Sequence, residues 1–412
     1  MPRLKTFCTG ALLLLLFPLA AAEIYVVNSA SRTLSRIDTQ SGTVQNSFAQ
    51  LGLTPNLMDL DENHIYVACS GDNAVQVVSR STGALIRYIP VAASSNPWDV
   101  LKVGDFLYVT GLFTDKAYKI SLQSNSVTGT LAVGTAPEGL CSDGERLYVC
   151  NTGGYANNYA DSSISVIDLD TFAVEATVPV WTNPQYAVVR NGFLHVSCTG
   201  NWSDIPGKVD IIDLESLKRI HRLDIGGKPG SLWIAGDGTA YLGDGMGAGL
   251  YSYNADTYEV YHDASDPLNY TGSMVSGSGG LIALLEQNYA SASVVRLYQS
   301  DFTPLGSYNV GLSSSDISVA ESGSSDAEDL VQTARPCLYP NPLHRGDVLQ
   351  IEAKGLSNPR LRIFNLRGQL LHSVRVGQKV GVTLPERLAP GVYLYSLDQE
   401  GRTQRGKLLF TD

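Results

Sequence analysis

The chain has little of what most catalytic chemistries require. Six cysteines, six histidines and four tryptophans are spread over 412 residues, and only 17% of the residues are charged. His64, His195, His221, His262, His344 and His372 are scattered singly, and no two have the spacing of a zinc site. Neither Gly-x-Ser-x-Gly nor His-Glu-x-x-His occurs, and no Cys-x-x-Cys-His is present to attach haem. No metal and no cofactor is therefore expected. Bases are outnumbered, 29 against 40 acids, for a formal net charge of -11. A surface of that sign repels phosphate backbones, so nucleic acid is excluded as a partner. Long apolar runs are missing too: the one at 11–17 is too short to span a bilayer, and no later segment nears the roughly 20 apolar residues a membrane helix needs.

That short run is nevertheless informative. Arg3 and Lys5 precede it and Ala20, Ala21 and Ala22 follow, the layout of a secretory signal peptide over 1–22, cleaved after Ala22. Cys8 lies ahead of the run, which does not fit a lipoprotein. Cys69, Cys141, Cys150, Cys198 and Cys337 remain after cleavage, an odd number that cannot all pair. The charge is also uneven: 23–334 carries 34 acids against 15 bases, and 335–412 carries 12 bases against 6 acids.

What the chain has in abundance is one strand, repeated. Ile24-Tyr25-Val26, Ile65-Tyr66-Val67, Leu107-Tyr108-Val109, Leu147-Tyr148-Val149, Leu194-His195-Val196 and Ala240-Tyr241-Leu242 recur every 40 to 47 residues. A second strand, a polar turn and a third strand follow each copy, and then a strand led by Pro55, Pro97, Pro137, Pro184 or Pro229. Asp143-Gly144, Asn191-Gly192 and Asp237-Gly238 mark hairpins from the Pro-led strand into the next aromatic strand. Four strands per period is one blade of a β-propeller. The repeated tyrosines are expected in the core, and Cys69 and Cys198, at one shared offset, are expected as small buried side chains rather than a disulfide. The recurring Asp38, Asp168 and Asp213 are expected to serve turns.

The phase of the repeat sets its closure. The mature chain starts on an aromatic strand with no Pro-led strand before it, and 315–320 has the pattern of the missing one. An all-β, seven-bladed propeller over 23–321 is expected, its last blade closed by the two ends of the repeat region; degeneracy in repeats six and seven leaves six or eight open. A linker follows at 322–336, rich in Ser, Gly and acids. Strands at 349–353, 361–365, 370–376, 381–384, 392–397 and 406–410 then point to a small Ig-like β-sandwich in 337–412.

Two resemblances add to this reading. The tail, with Tyr339-Pro340-Asn341-Pro342, Gly368 after Ile363 to Arg367, Pro390-Gly391-Val392-Tyr393 and Lys407 before Leu408-Leu409, resembles the type A sorting domain of the bacterial type IX (Por) secretion system. This resemblance implies that the secretion machinery is a partner and that the protein ends up secreted or on the outer surface of a Gram-negative cell. The repeats are similar to those of YVTN-type β-propeller proteins, through Ile24 to Asn28 and Leu147 to Asn151, although Cys69, Gly111, Cys198 and Asp244 stand where that family has Asn. It implies the fold. Propellers resembling this one include lactonases, lyases and quinoprotein oxidoreductases, which keeps an enzyme open as an alternative, with Glu138 and nearby Asp99 or Asp316 as its best support.

Candidate ligand residues are those that do not repeat. The position after each Pro should ring one mouth of the central channel, and there the chain has Asn56, Trp98, Glu138, Gln185 and Gly230, a mixture suited to an asymmetric ligand. Two loops on the same face are lengthened, 153–161 and 200–207. They bring Tyr155, Tyr159, Asp161, Trp202 and Asp204, with Trp181 nearby, a set suited to stacking on a carbohydrate or clasping a peptide. A binding protein is expected ahead of an enzyme, with a structural surface-layer component as a third reading.

Overall fold

The computed structural model describes residues 22–247 and 249–321 and, towards the C terminus, 337–339, 343–345, 347–352, 360–365, 370–375, 379–383, 389–399 and 402–411. Two compact units result, Met1–Gly323 and Ser324–Asp412.

The first unit is all-β and propeller-like. Its strands form seven four-stranded antiparallel sheets, six of which run in chain order. The second sheet shows the plan: Pro55–Leu60, His64–Cys69, Ala74–Ser79 and Leu85–Pro90. In the first sheet the leading strand comes from far along the chain, and Ser314–Glu321 pairs antiparallel with Ala22–Asn28, Ile24 opposite Val319 and Val26 opposite Ile317. Ala22 already belongs to this strand, its backbone N–H and carbonyl both bonded to the Thr39 hydroxyl at 2.9 Å. Sheets six and seven, where the repeat fades, have equivalent strands, and Met274–Ser278 takes the leading place in sheet seven without a proline.

Each leading strand packs against the next, and Ser314–Glu321 packs against Pro55–Leu60. Burial falls from the leading pair to the outer strand: Ile24, Tyr25, Val26 and Val27 are wholly buried, whereas Thr43–Gln50 is mostly exposed. Apolar faces of neighbouring sheets meet, as where Tyr25, Val27 and Leu34 pack with Ile65, Val67 and Val78. Several of the repeated tyrosines sit there with their hydroxyls hydrogen-bonded. Tyr66 donates to Asp61 at 2.8 Å and Tyr148 to Asp143 at 2.7 Å, which ties the core to the hairpin turn. Asp38, Asp168 and Asp213 accept from the residues of their own turns. Cys69, Cys150 and Cys198 are buried free thiols.

Hydroxyls at the ends of the aromatic strands pin each sheet to its successor. Ser70 donates to the Pro97 carbonyl, Thr110 to that of Glu138 and Thr199 to that of Pro229, each at 2.7 Å. These bonds fix the depth of the leading strands, and with it the position of the side chain that follows each proline.

In the second unit Cys337–Tyr339, Val348–Glu352 and Lys379–Thr383 form one sheet, and Leu343–His344, Arg402–Thr411, Gly391–Gln399, Arg360–Phe364 and Leu370–Arg375 form another. Leu343, Leu349, Leu361, Ile363, Val382, Tyr393, Tyr395, Leu408 and Phe410 make its core. Tyr393 donates its hydroxyl to the Ala389 carbonyl, beside Pro390 and Gly391. Pro340, Asn341, Pro342 and Gly368 lie outside the described residues, while Tyr339 and Lys407 lie in strands Cys337–Tyr339 and Arg402–Thr411.

Candidate functional site

Because each leading strand pairs with the end of the following strand, Pro55 opposite Cys69 and Pro184 opposite Cys198, the loops after the aromatic strands gather around the leading-strand starts. A cavity of about 680 Å³ opens there, within the size range of small-molecule sites. Asn56, Trp98, Glu138, Gln185 and Gly230 all line it, and so does Trp202 from the lengthened loop of the fifth sheet. Tyr186, Met246, Glu286 and Tyr289 also line it, with Ser273 and Ser315. Sequence reasoning missed this group because its members neither directly follow a leading proline nor sit in a lengthened loop.

Trp202 has an unusual setting. Its φ of 61° is left-handed, a conformation that a bulky residue adopts only when its surroundings impose it. Left-handed residues precede the leading strands at Thr54, Asn96, Ala136, Asn183 and Ser313, and stand in the loops equivalent to that of Trp202 at Arg32, Asn73, Asp115, Asn158 and Tyr159. Its ring lies over Gly245, where an added Cβ would come within 2.8 Å. Asn201 anchors the loop, accepting from the N–H of Ile205 at 2.8 Å and donating to Asp204 at 2.9 Å and to Asn158 of the other long loop at 3.2 Å. Asp204 is thereby held below the usual carboxylate range, first by the Asn201 hydrogen bond. Tyr159 is buried and stacks edge-on with Tyr155.

Other expected residues lie outside the cavity. Tyr159 and Asp204 do not line the wall, and Tyr155 and Asp161 are exposed on their loop. Trp181 has both cationic neighbours and its own partner: Lys208 and Arg222 lie over its ring at 4.5 and 4.7 Å, and its indole N–H donates to the Pro206 carbonyl at 2.9 Å. Gly230 is set by packing, since a Cβ there would meet the Ser273 carbonyl at 2.7 Å. A smaller cavity, about 260 Å³ between Lys208, Asp224 and Asp263, has its lysine already paired with Asp224.

Glu138 is the chemically distinct group of the large cavity. Burial pushes its carboxyl up to about 8, against the hydrogen bond it receives from Gln185 Nε2 at 3.1 Å. Gln185 Oε1 lies 3.0 Å from the Thr199 hydroxyl, whose one proton is shared with the nearer Pro229 carbonyl at 2.7 Å. Glu286 is paired with Arg296. Among the described residues, no Lys, Arg or His lines the cavity. Three more carboxyls belong to the leading strands, and each accepts a backbone N–H from the next sheet: Asp316 from Met58 at 2.8 Å, Asp59 from Lys102 at 2.7 Å and Asp99 from Leu140 at 2.8 Å. Burial raises all three, Asp316 to about 7 and Asp99 well above the ordinary value, and the Asp316 charge adds to the rise at Asp99. Asp99 and Asp316 thus serve the joints between sheets. Among the described residues, no three His, Cys, Asp or Glu side chains come together as a metal site.

A pH dependence follows. A carboxyl whose value is higher folded than unfolded makes its full contribution to stability below about 4 and loses it as pH rises through the folded value. Carboxyls held low by their turns, such as Asp168 and Asp213, act only below about 4. Stability is therefore expected to fall between pH 5 and pH 9, and thermal melts of a Glu138→Gln, Asp316→Asn variant should lose most of that slope. An unchanged slope would show that these groups are not shifted in the folded protein.

Comparison with known proteins separates the two units. Residues 337–411 match a secretion system C-terminal sorting domain. That tail indicates secretion or cell-surface localisation, and no helix among the described residues is long and apolar enough to cross a membrane. No curated protein matches the chain in sequence. Among solved structures, the chain is similar to a functionally unknown protein from Desulfotomaculum acetoxidans DSM 771, with TM-score 0.55 and 12% identity over 70% of this chain and 99% of that one. It is also similar to the dihydro-heme d1 dehydrogenase NirN in complex with DHE, with TM-score 0.52 and 14% identity over 73% and 75%. The computationally designed Ika8 protein gives TM-score 0.53 and 10% identity over 81% and 93%. At these identities the likeness concerns the propeller-like fold alone.

Proposed function

We propose that this protein is a binding protein, exported by the type IX system across the Gram-negative outer membrane, whose seven sheets form a propeller closed by Ser314–Glu321 on Ala22–Asn28. We place its site in the cavity at the loop face and its ligand among carbohydrates or peptides. One observation carries this reading: among the described residues, the four most exposed large hydrophobic side chains, Tyr155, Tyr289, Met246 and Phe113, are 71–79% exposed and all belong to the loops of this one face. Apolar side chains left in water around a concave site mark a surface that something else covers. Trp202 adds a partly exposed indole to the cavity wall, resting over Gly245, which supports a role in contacting a ligand.

Glycan and peptide arrays probed with the purified protein test the site. Trp202→Ala is expected to weaken an identified ligand at least tenfold; binding that survives it unchanged moves the site elsewhere. Export is tested separately: a chain lacking 337–412 is expected to accumulate inside the outer membrane, and its normal appearance outside would remove the tail's role.

A second reading, an enzyme, draws on Glu138, whose raised carboxyl can donate a proton near neutral pH. Glu286, the other acid of the wall, is occupied by Arg296, so a second titrating partner is missing from the described lining. Turnover of any substrate that Glu138→Gln abolishes would favour this reading.

A further inference from the structure

We infer that the part of the ligand entering the cavity is a methylated ammonium head, recognised by the rings of Trp98, Trp202 and Tyr289 and by the carboxylate of Glu138. This inference rests on the binding reading above and narrows it to one chemistry.

The argument is one of charge and surface. The cavity combines aromatic faces and the Met246 thioether with a carboxylate, and it offers no cation among its described lining residues. Glu286 already has Arg296, but Glu138 has only the neutral amide of Gln185. Without a counter-charge, burial holds Glu138 towards its protonated form, and an arriving cation favours the carboxylate by supplying what the fold leaves out. An anion is repelled from such a site and a neutral ligand gains nothing from its field.

Between cations, the wall selects. A primary ammonium is strongly hydrated and needs three acceptors in place of its water. Here the amide nitrogens of Gln185 and Asn56 are turned towards Glu138 and Ser70, and as donors they cannot accept from an ammonium. A trimethylammonium head carries no N–H, so it leaves no donor unsatisfied, and its diffuse charge suits aromatic faces.

Calorimetry with choline and with its neutral isostere 3,3-dimethylbutan-1-ol, at equal ionic strength, tests the inference on the full-length protein. Choline is expected to bind at least tenfold more tightly than the alcohol. Trp202→Ala and Glu138→Gln should each remove most of that preference, whereas Tyr88→Ala, on the exposed strand Leu85–Pro90, should leave it intact. Thermal melts accompany each variant, so that a misfolded protein is not scored as a lost site. Equal binding of choline and the alcohol overturns the cationic head. So does absence of choline binding while an array ligand binds in a Trp202-dependent way, a result that leaves the binding reading standing. If choline and every array ligand fail together, both fall.

Discussion

A chain that ends after Leu312 is expected not to fold cooperatively, whereas one that ends after Glu321 should melt as the full-length protein does. The strand between these points, Ser314–Glu321, buries Ile317 in the core shared with Ile24, Val26 and Leu281, and Ala320 in the core shared with Tyr25 and Ile65. It also accepts the Met58 N–H through Asp316, bonds the Asn56 carbonyl through Ser315 and reaches Asn28 through Ser314. Each large buried side chain is worth about 1.5–3 kcal/mol and each hydrogen bond about 1 kcal/mol, against a total margin of about 5–15 kcal/mol. Losing the strand removes most of that margin and opens the edge of Ala22–Asn28 for pairing with another chain. Circular dichroism melts and size-exclusion profiles of the two truncations measure the difference. Coincident melts would mean that this strand does not close the ring.

Asp210→Ala is expected to destabilise the propeller by about 3 kcal/mol, the lower end of the range for a broken buried ion pair because Arg222 still reaches water. Asp210 has no exposed surface, accepts from Arg222 Nε at 2.6 Å and Nη2 at 2.7 Å, and accepts the Trp181 N–H at 2.8 Å. Removing the carboxylate strands a guanidinium and a buried amide together, next to the Trp181 ring that Arg222 covers. Asp210→Asn keeps one acceptor and should lose less, and Arg222→Ala combined with Asp210→Ala should lose less than the two separately. Urea denaturation gives these values directly. A loss under about 1 kcal/mol would mean that the pair is solvated and that Trp181 does not depend on it.

The same contacts explain which site residues could be read in the chain. The position after each proline was legible, since strand period and pairing place Asn56, Trp98, Glu138 and Gln185 at equivalent depth whatever they are. Trp202 was legible because its loop breaks the repeat. Trp181 and Tyr155 were flagged by type and neighbourhood alone, and only packing shows that Lys208, Arg222 and Pro206 take up the first while the second faces water. Met246 and Tyr289 escaped notice because their loops are short and neither residue follows a leading proline, although backbone pairing beside them is intact. Gly230 looked like variety in a ring of ligand groups and proves to be a consequence of one close carbonyl.

By itself the sequence determined the all-β repeat, the order of strands within it, the strand that joins the two ends of the repeat region and the sorting tail, because each is encoded in local spacing that recurs. The tertiary structure decided the site. A cavity wall draws on several sheets, and how far the Gln185 amide is from Glu138, or whether a lysine covers an indole, depends on contacts between residues tens of positions apart that no period relates. It also decided which acids are unusual. Glu138 and Asp168 are the same chemistry in the chain, and burial alone raises the first while an exposed turn lowers the second.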